Sequence, residues 1–260
     1  IDALKRTTFR RPPEYSRQVL DIGCGTGDFT KDVLVPWVHP CRKIVATDGS
    51  STMVVYARTN YGHPAISYDV LDIETRDVNK FVEKYGKFDR IYSFFCLHWI
   101  RDQEAAFNNI GGLLNDEGES LLVFCGQFML YDVWFKMSGM ERWKDVIDDP
   151  TSFFPDTWQR KPPPSLGDLE RTVRKLIANA GMLTLSCELD RGDSEYGNEE
   201  EVLDLVASIV TVKPGTPGEK EDSMREELSA RLLERCTTTS AGCKFPTDVF
   251  IVHTQKKPVK

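Results

Sequence analysis

Val19-Leu20-Asp21-Ile22-Gly23-Cys24-Gly25-Thr26-Gly27-Asp28-Phe29-Thr30 decides the fold of this 260-residue chain. A short apolar run over 17–22 reads as a buried strand, three alternating glycines follow it, and 29–35 resumes with helical character. Strand, glycine turn and helix in that order open a parallel α/β sheet, whose ligands bind at the carboxyl ends of the strands. Glycine has no Cβ and tolerates positive φ, so backbone amides in such a turn approach a ligand closely.

Working outward, the same rhythm repeats. Apolar runs over 43–47, 66–70, 88–95 and 120–125 read as four further strands, and 52–61, 78–85 and 103–114 read as helical crossovers. Asn115-Asp116-Glu117-Gly118 reads as the turn that closes the last of these helices. Beyond the fifth strand, 127–165 is rich in Met, aromatics and Pro and reads as an insertion. A helix over 169–180 then leads to a strand over 182–189, helices at 200–210 and 223–235, and a final strand over 249–254. The organisation predicted is one domain over 1–260: a cofactor-binding core at 17–126, the insertion, and closing helices and strands over 166–260. The last two strands suit a reversed hairpin, although periodicity does not give strand direction.

The turn has the spacing GxGxG with Asp21 just before it, whereas the dinucleotide fingerprint is GxGxxG. A carboxylate there repels a diphosphate and suits an adenosyl amino acid. Asp48 ends the second strand, where it is placed to accept both ribose hydroxyls, and Asp72 follows the third, where it is placed to accept from an adenine amino group. Each acid taken alone also fits a cap or turn role. Gly23, Gly25, Gly49 and Phe94 complete the candidate cradle. Met53 and Ile73 are candidates for the adenine face, with core packing as the alternative for both.

The net charge of −7 argues against a nucleic-acid or anionic-membrane surface, since phosphate binding draws most of its affinity from Lys and Arg. Seven scattered cysteines lack a close CxxC pair, so no metal site is expected; they read as reduced thiols, with Cys236 and Cys243 the one pair that could bridge. That points to a cytoplasmic protein, monomer or homodimer. No apolar run is long enough for a membrane helix. The acids of 190–204 lack a calcium-loop pattern and read as a solvated loop and helix start. The chain opens at Ile1 without a methionine, which leaves open whether a segment precedes it.

VLDIGCGTGDFT (19–30), LDIE (71–74) and above all SFFCLHWIRDQEAAFNNIGGLL (93–114) resemble the arthropod juvenile hormone acid O-methyltransferases, also known as farnesoic acid methyltransferases. The likeness runs the length of the chain and is strongest over 17–126. It implies the Rossmann-like, doubly wound, seven-stranded α/β fold of class I methyltransferases with an inserted helical substrate cap. It also implies S-adenosylmethionine as cofactor, S-adenosylhomocysteine as product, and the carboxylate of an apolar farnesoic-type acid as acceptor. In that family a tryptophan after the fourth strand contacts the acceptor carboxylate, and Trp99 matches it; His98 beside it is a candidate second donor, or a structural histidine. The family's glutamine from a helix before the first strand has no counterpart expected here, because the chain starts too late to hold that helix.

A carboxylic acid is already ionised at pH 7, so the lack of a catalytic dyad fits methylation of its oxygen. Tyr131, Trp134, Phe135 and Trp143 in the insertion suit either an apolar pocket wall or a helix packed on the core. Two other functions fit the same motifs: methylation of a different small carboxylate, which pocket polarity would decide, and cofactor binding without turnover.

Overall fold

The computed structural model describes residues 1–152, 154–156, 165–239 and 242–258, without the side chains of Gln127 and Phe128. The proline run at 162–164 lies outside the described residues. Strands β1 (Glu14–Ile22), β2 (Cys41–Asp48), β3 (Ile66–Val70), β4 (Phe88–Phe94), β5 (Leu114–Phe128), β6 (Met182–Tyr196), β7 (Thr237–Thr239) and β8 (Gly242–Lys256) form one sheet. Its order is β3-β2-β1-β4-β5-β8-β6, with β7 paired to β8 off that path. The seven strands on the path are those the apolar runs predict. β7 adds an eighth, which a run of three threonines does not announce.

β1, β2, β3, β4 and β5 pair in parallel. Being covered on both faces, the central strands bury successive residues rather than alternate ones: Val19 to Ile22, and Ile44, Val45 and Ala46, are at most 3% exposed. The last strands reverse. Gln255 reaches the carbonyl of Glu117 while His253 reaches Glu119, and Tyr196 meets Phe245 while Ser194 meets Thr247. In both pairs the partners run in opposite directions, so β8 is antiparallel to β5 and to β6.

Cα packing divides the chain into two compact units: Ile1–Phe124 with Pro155–Leu189 and Phe250–Lys260, and Cys125–Phe154 with Asp190–Val249. The first holds helices α1 (Asp2–Arg6), α2 (Val35–Val38), α3 (Ser51–Asn60), α4 (Asn79–Tyr85), α5 (Gln103–Leu113) and α7 (Leu166–Asn179). Its core joins Phe107 of α5, Phe124 of β5 and Phe250 of β8 to Ile177 of α7, each burial stabilising by about 1.5–3 kcal/mol. Side-chain caps fix the helix starts. Ser50 accepts from Met53 N, Asp102 from Ala105 N, and Ser165 forms a capping box with Asp168.

Three local expectations need correction. The stretch read as helical over 29–35 is helical, but it opens as a π-helical turn, Thr30–Leu34, leading into α2. Pro36 near the start of α2 donates no N–H, and the wider turn accommodates the missing bond. A helix does precede the first strand: α1 buries Ala3 and Leu4, and Arg6 pairs with Glu188, but it contains no glutamine. Residues 115–118 lie within β5 rather than ending a helix. Leu114 already pairs with Phe88, the register shifts before Glu119 pairs with Arg90, and Glu117 takes φ +60°.

Near that bulge Arg90, Glu119 and His253 lie buried on three adjacent strands. Burial would raise the Glu119 carboxyl, but the His253 hydrogen bond (2.8 Å), the Arg10 N–H (3.1 Å) and the Arg90 charge hold it below the usual range.

The second unit contains α6 (Met129–Ser138), α8 (Glu199–Ile209) and α9 (Gly218–Leu233). Phe154 gathers Tyr131, Trp134 and Phe135 around it at centroid distances of 4.3, 5.2 and 5.2 Å, and Trp143 donates to Glu227 at 3.0 Å. Tyr131, Trp134 and Trp143 are buried, so these rings form the unit's own core. Glu199, Glu200 and Glu201 occupy the first turn of α8, where negative charge suits the helix dipole. All seven cysteines are free, and among the described residues no helix is long and apolar enough to cross a membrane.

Candidate active site

The carboxyl ends of β1, β2, β3 and β4 carry the site, all within the first unit. The chain leaves β1 at Ile22, and the N–H groups of Gly23 and Cys24 both donate to the Thr47 carbonyl of β2 (2.7 and 2.9 Å). Gly23 takes φ +76°, and a Cβ there would overlap Cys96, just beyond β4. Gly25 takes φ +53° and faces open space, with nothing within 4 Å of where a Cβ would sit. The turn is thus packed from below and vacant above, the shape of a cradle that a side chain would fill.

Asp21 is 3% exposed and accepts from Thr30 Oγ1 at 2.6 Å. Burial pushes its carboxyl up to about 6; the Thr30 bond opposes the shift and the nearby Asp48 charge adds to it. Asp48 accepts from Gly25 N at 3.0 Å and Ser50 N at 2.8 Å, tying the end of β2 to the turn. Two carboxylates concentrated at one glycine turn also push the buried Cys24 thiol upward, after burial itself. A cation placed there relieves both acids.

After β3, Asp72 accepts from Glu74 N at 2.9 Å in a tight turn. The turn is braced from α5: Asn109 donates to the carbonyls of Ile73 and Thr75, both at 2.8 Å, and Asp102 N donates to Glu74 at 2.5 Å. Ile73 is 2% exposed and belongs to the main core. Met53 is exposed near the start of α3, and Gly49 faces open space. Phe94 ends β4 half-buried, its ring 4.7 Å from Phe29.

β4 runs on into Phe95, with φ +52°, then Cys96 and a 3-10 turn over Leu97–Trp99. His98 is buried and burial pushes its imidazole down to about 3, so it is neutral throughout the physiological range. Its ring centroid lies 5.2 Å from that of half-buried Trp99.

Gly25 and Asp48 are therefore joined directly and Asp21 and Gly23 are tied in through Thr47, with Asp72, Phe94, His98 and Trp99 on neighbouring strand ends and Ile73 inside the core. Thr30, Thr47 and Cys96 escape the sequence reading. Each acts on a residue at least nine positions away, and a threonine or cysteine in an apolar run carries no local signal of that. The residues present fit S-adenosylmethionine, because an open glycine turn with two acids suits a ligand bearing a sulfonium and an ammonium.

A methyltransferase domain family matches residues 20–120. The juvenile hormone acid O-methyltransferase of Bombyx mori is 32% identical over 252 residues, covering 92% of this chain and 85% of that one. The enzyme of the same name from Drosophila melanogaster is 34% identical over 52% of this chain and 46% of its own length. Among solved structures, an S-adenosylmethionine-dependent methyltransferase from Anabaena variabilis shares the fold at TM-score 0.54 and 14% identity, over 94% of this chain and 79% of that one. A sheet of this order, a glycine turn flanked by two acids and likeness over most of a relative's length agree: the chain belongs to the juvenile hormone acid O-methyltransferase family and is an S-adenosylmethionine-dependent methyltransferase.

Proposed function

We propose that this enzyme methylates the carboxylate of a farnesoic acid-like or juvenile hormone acid-like substrate, giving the methyl ester. The observation that carries the reading is the end of β4, where Trp99 and a neutral, buried His98 stand on the segment that packs against the glycine turn. When bound, S-adenosylmethionine supplies an electrophilic methyl group and leaves as S-adenosylhomocysteine.

The carboxylate is its own nucleophile, so no residue removes a proton. The residues around Trp99 and His98 would hold the carboxylate oxygen toward the bound cofactor's methyl group and exclude water from it. Alignment of this kind lowers a barrier by roughly 7–11 kcal/mol at best. Trp99 aims the carboxylate through its indole N–H, and His98 serves as a neutral second donor. Asp48 accepts from the ribose hydroxyls and Asp72 from the adenine amino group. Asp21 faces the cationic amino acid end, Gly23, Gly25 and Gly49 bring backbone to the ligand, and Met53 and Phe94 flank it. Ile73 backs the adenine side from the core. The 127–165 segment, with its Met and aromatic residues, is assigned to acceptor recognition within one methyltransferase domain over 1–260. The protein works in the cytoplasm as a monomer or homodimer without a nucleic-acid partner, a placement supported by its seven free thiols and acidic charge.

Incubation with S-adenosylmethionine and farnesoic acid, with detection of the methyl ester, tests the reaction; no ester from any carboxylic acid overturns it. Trp99→Phe is expected to lower kcat/KM about tenfold to a hundredfold, the worth of a hydrogen bond to a charged group, while S-adenosylhomocysteine affinity by calorimetry stays unchanged. Equal loss of both makes Trp99 structural. Asp48→Ala is expected to weaken S-adenosylhomocysteine binding by about 1–3 kcal/mol, since the ribose acceptor and the Gly25 tether go together. Unchanged affinity refutes that role.

A further inference from the structure

Phe95 combines two unfavourable features in one residue. It takes φ +52°, a left-handed conformation that bulky side chains avoid, and the residue is 54% exposed. The conformation is held from both sides. Phe95 N–H donates to the Val123 carbonyl of β5 at 2.7 Å, Phe94 before it packs against Phe29, and Cys96 after it sits against the glycine turn. The outcome is to turn a large apolar ring outward at the carboxyl end of β4, edge-on to His98 at 6.3 Å between centroids. Core packing does not explain a ring left half in water, and a polar residue or glycine would satisfy the turn with less strain.

We propose that Phe95 is an acceptor-contacting residue that grips the apolar chain just behind the carboxylate and so selects long isoprenoid-like acids over short ones. The inference rests on the carboxyl-methylation reading above. The ring meets the acceptor where the chain leaves the carboxylate, with His98 and Trp99 at the oxygens, and contact with an apolar chain removes its exposed face from water.

Phe95→Gly separates this role from a structural one, because it removes the ring and the strain together. Expected results are a Tm raised by a few degrees and S-adenosylhomocysteine affinity within twofold of wild type. Farnesoic acid binding to the S-adenosylhomocysteine complex should weaken at least tenfold, and binding of butanoic acid less than threefold. Phe95→Asn, which keeps the left-handed turn without the ring, should match the glycine variant in acceptor binding. A lowered Tm in both variants, equal loss for both acids or unchanged farnesoic acid binding overturns the proposal. Ester formation by the wild-type enzyme separates the two readings. Ester with unaltered acid binding in Phe95→Gly sinks the Phe95 role alone, whereas no ester and no acid binding by the wild type sinks both.

Discussion

Gly23→Ala is expected to abolish cofactor binding and to lower stability by about 2–5 kcal/mol, a Tm fall of roughly 10 °C in a chain of this size. Two costs add. At φ +76° any Cβ is strained, and this Cβ would lie 2.5 Å from Cys96 Sγ and closer still to Cys96 Cβ. The second cost is removable, so Gly23→Ala with Cys96→Gly should recover most of the steric part, whereas Cys96→Ala, which leaves its own Cβ in place, should recover little. Gly25→Ala provides the contrast. Nothing lies within 4 Å of that position, so it should cost only the strain at φ +53°, about 1–2 kcal/mol, yet weaken S-adenosylhomocysteine binding more than a hundredfold by filling the ligand's space. Thermal unfolding and calorimetry read both quantities. Wild-type affinity in Gly25→Ala would move the ligand away from this turn.

Asp21→Asn should make the ligand-free protein more stable at neutral pH while weakening its hold on the cofactor. The folded carboxyl titrates at about 6 against an ordinary value of 3.8, chiefly because it is buried. Well below the ordinary value of 3.8 both folded and unfolded forms are protonated and the group costs nothing. Between pH 4 and 6 the unfolded chain loses its proton first, so stability falls as pH rises, and above 6 the penalty levels at about 3 kcal/mol. Asparagine avoids that penalty and still offers Thr30 an acceptor. A cationic ligand favours the ionised acid, so wild-type affinity for S-adenosylmethionine should rise from pH 5 to 7 with proton release on binding, and the variant should lose that slope. A less stable variant at pH 7.5, or an unchanged slope, would remove Asp21 from this role.

Strands β1 and β2 were legible because a strand covered on both faces is nearly all apolar: Ile44 to Ala46 have no other use, and Val19 to Ile22 are broken only by the buried site acid Asp21, whereas β3 at the sheet edge and β4 showed as mixed runs around Ile66, Tyr68 and Val70 and around Ile91 and Tyr92. The start of β5 was not. Asn115 to Gly118 have turn chemistry, and the backbone does bend at Glu117, but Leu114 already pairs with Phe88, which only the partner strand reveals. α1 hides for a similar reason, since five residues carry little periodicity. At the site, Asp21, Asp48 and Asp72 announce themselves as acids at successive strand ends. Thr30 under Asp21 and Cys96 against Gly23 are tertiary contacts, and the left-handed turn at Phe95 contradicts its residue type, so local propensity points away from it.

The brace from α5 joins the turn bearing Asp72 to the start of the helix that follows Trp99. Asn109, Asp102 and Glu74 tie one strand-end loop to the other without crossing the glycine turn. With the methyl donor on the first loop and the acceptor on the second, as proposed, any coupling these bonds carry must be reciprocal: whatever factor the first ligand applies to the affinity of the second, the second returns. Trimming Asn109 to alanine would leave both recognition surfaces intact and loosen only their correspondence, so the affinity of each ligand in the presence of the other, rather than either affinity alone, is where that brace is felt.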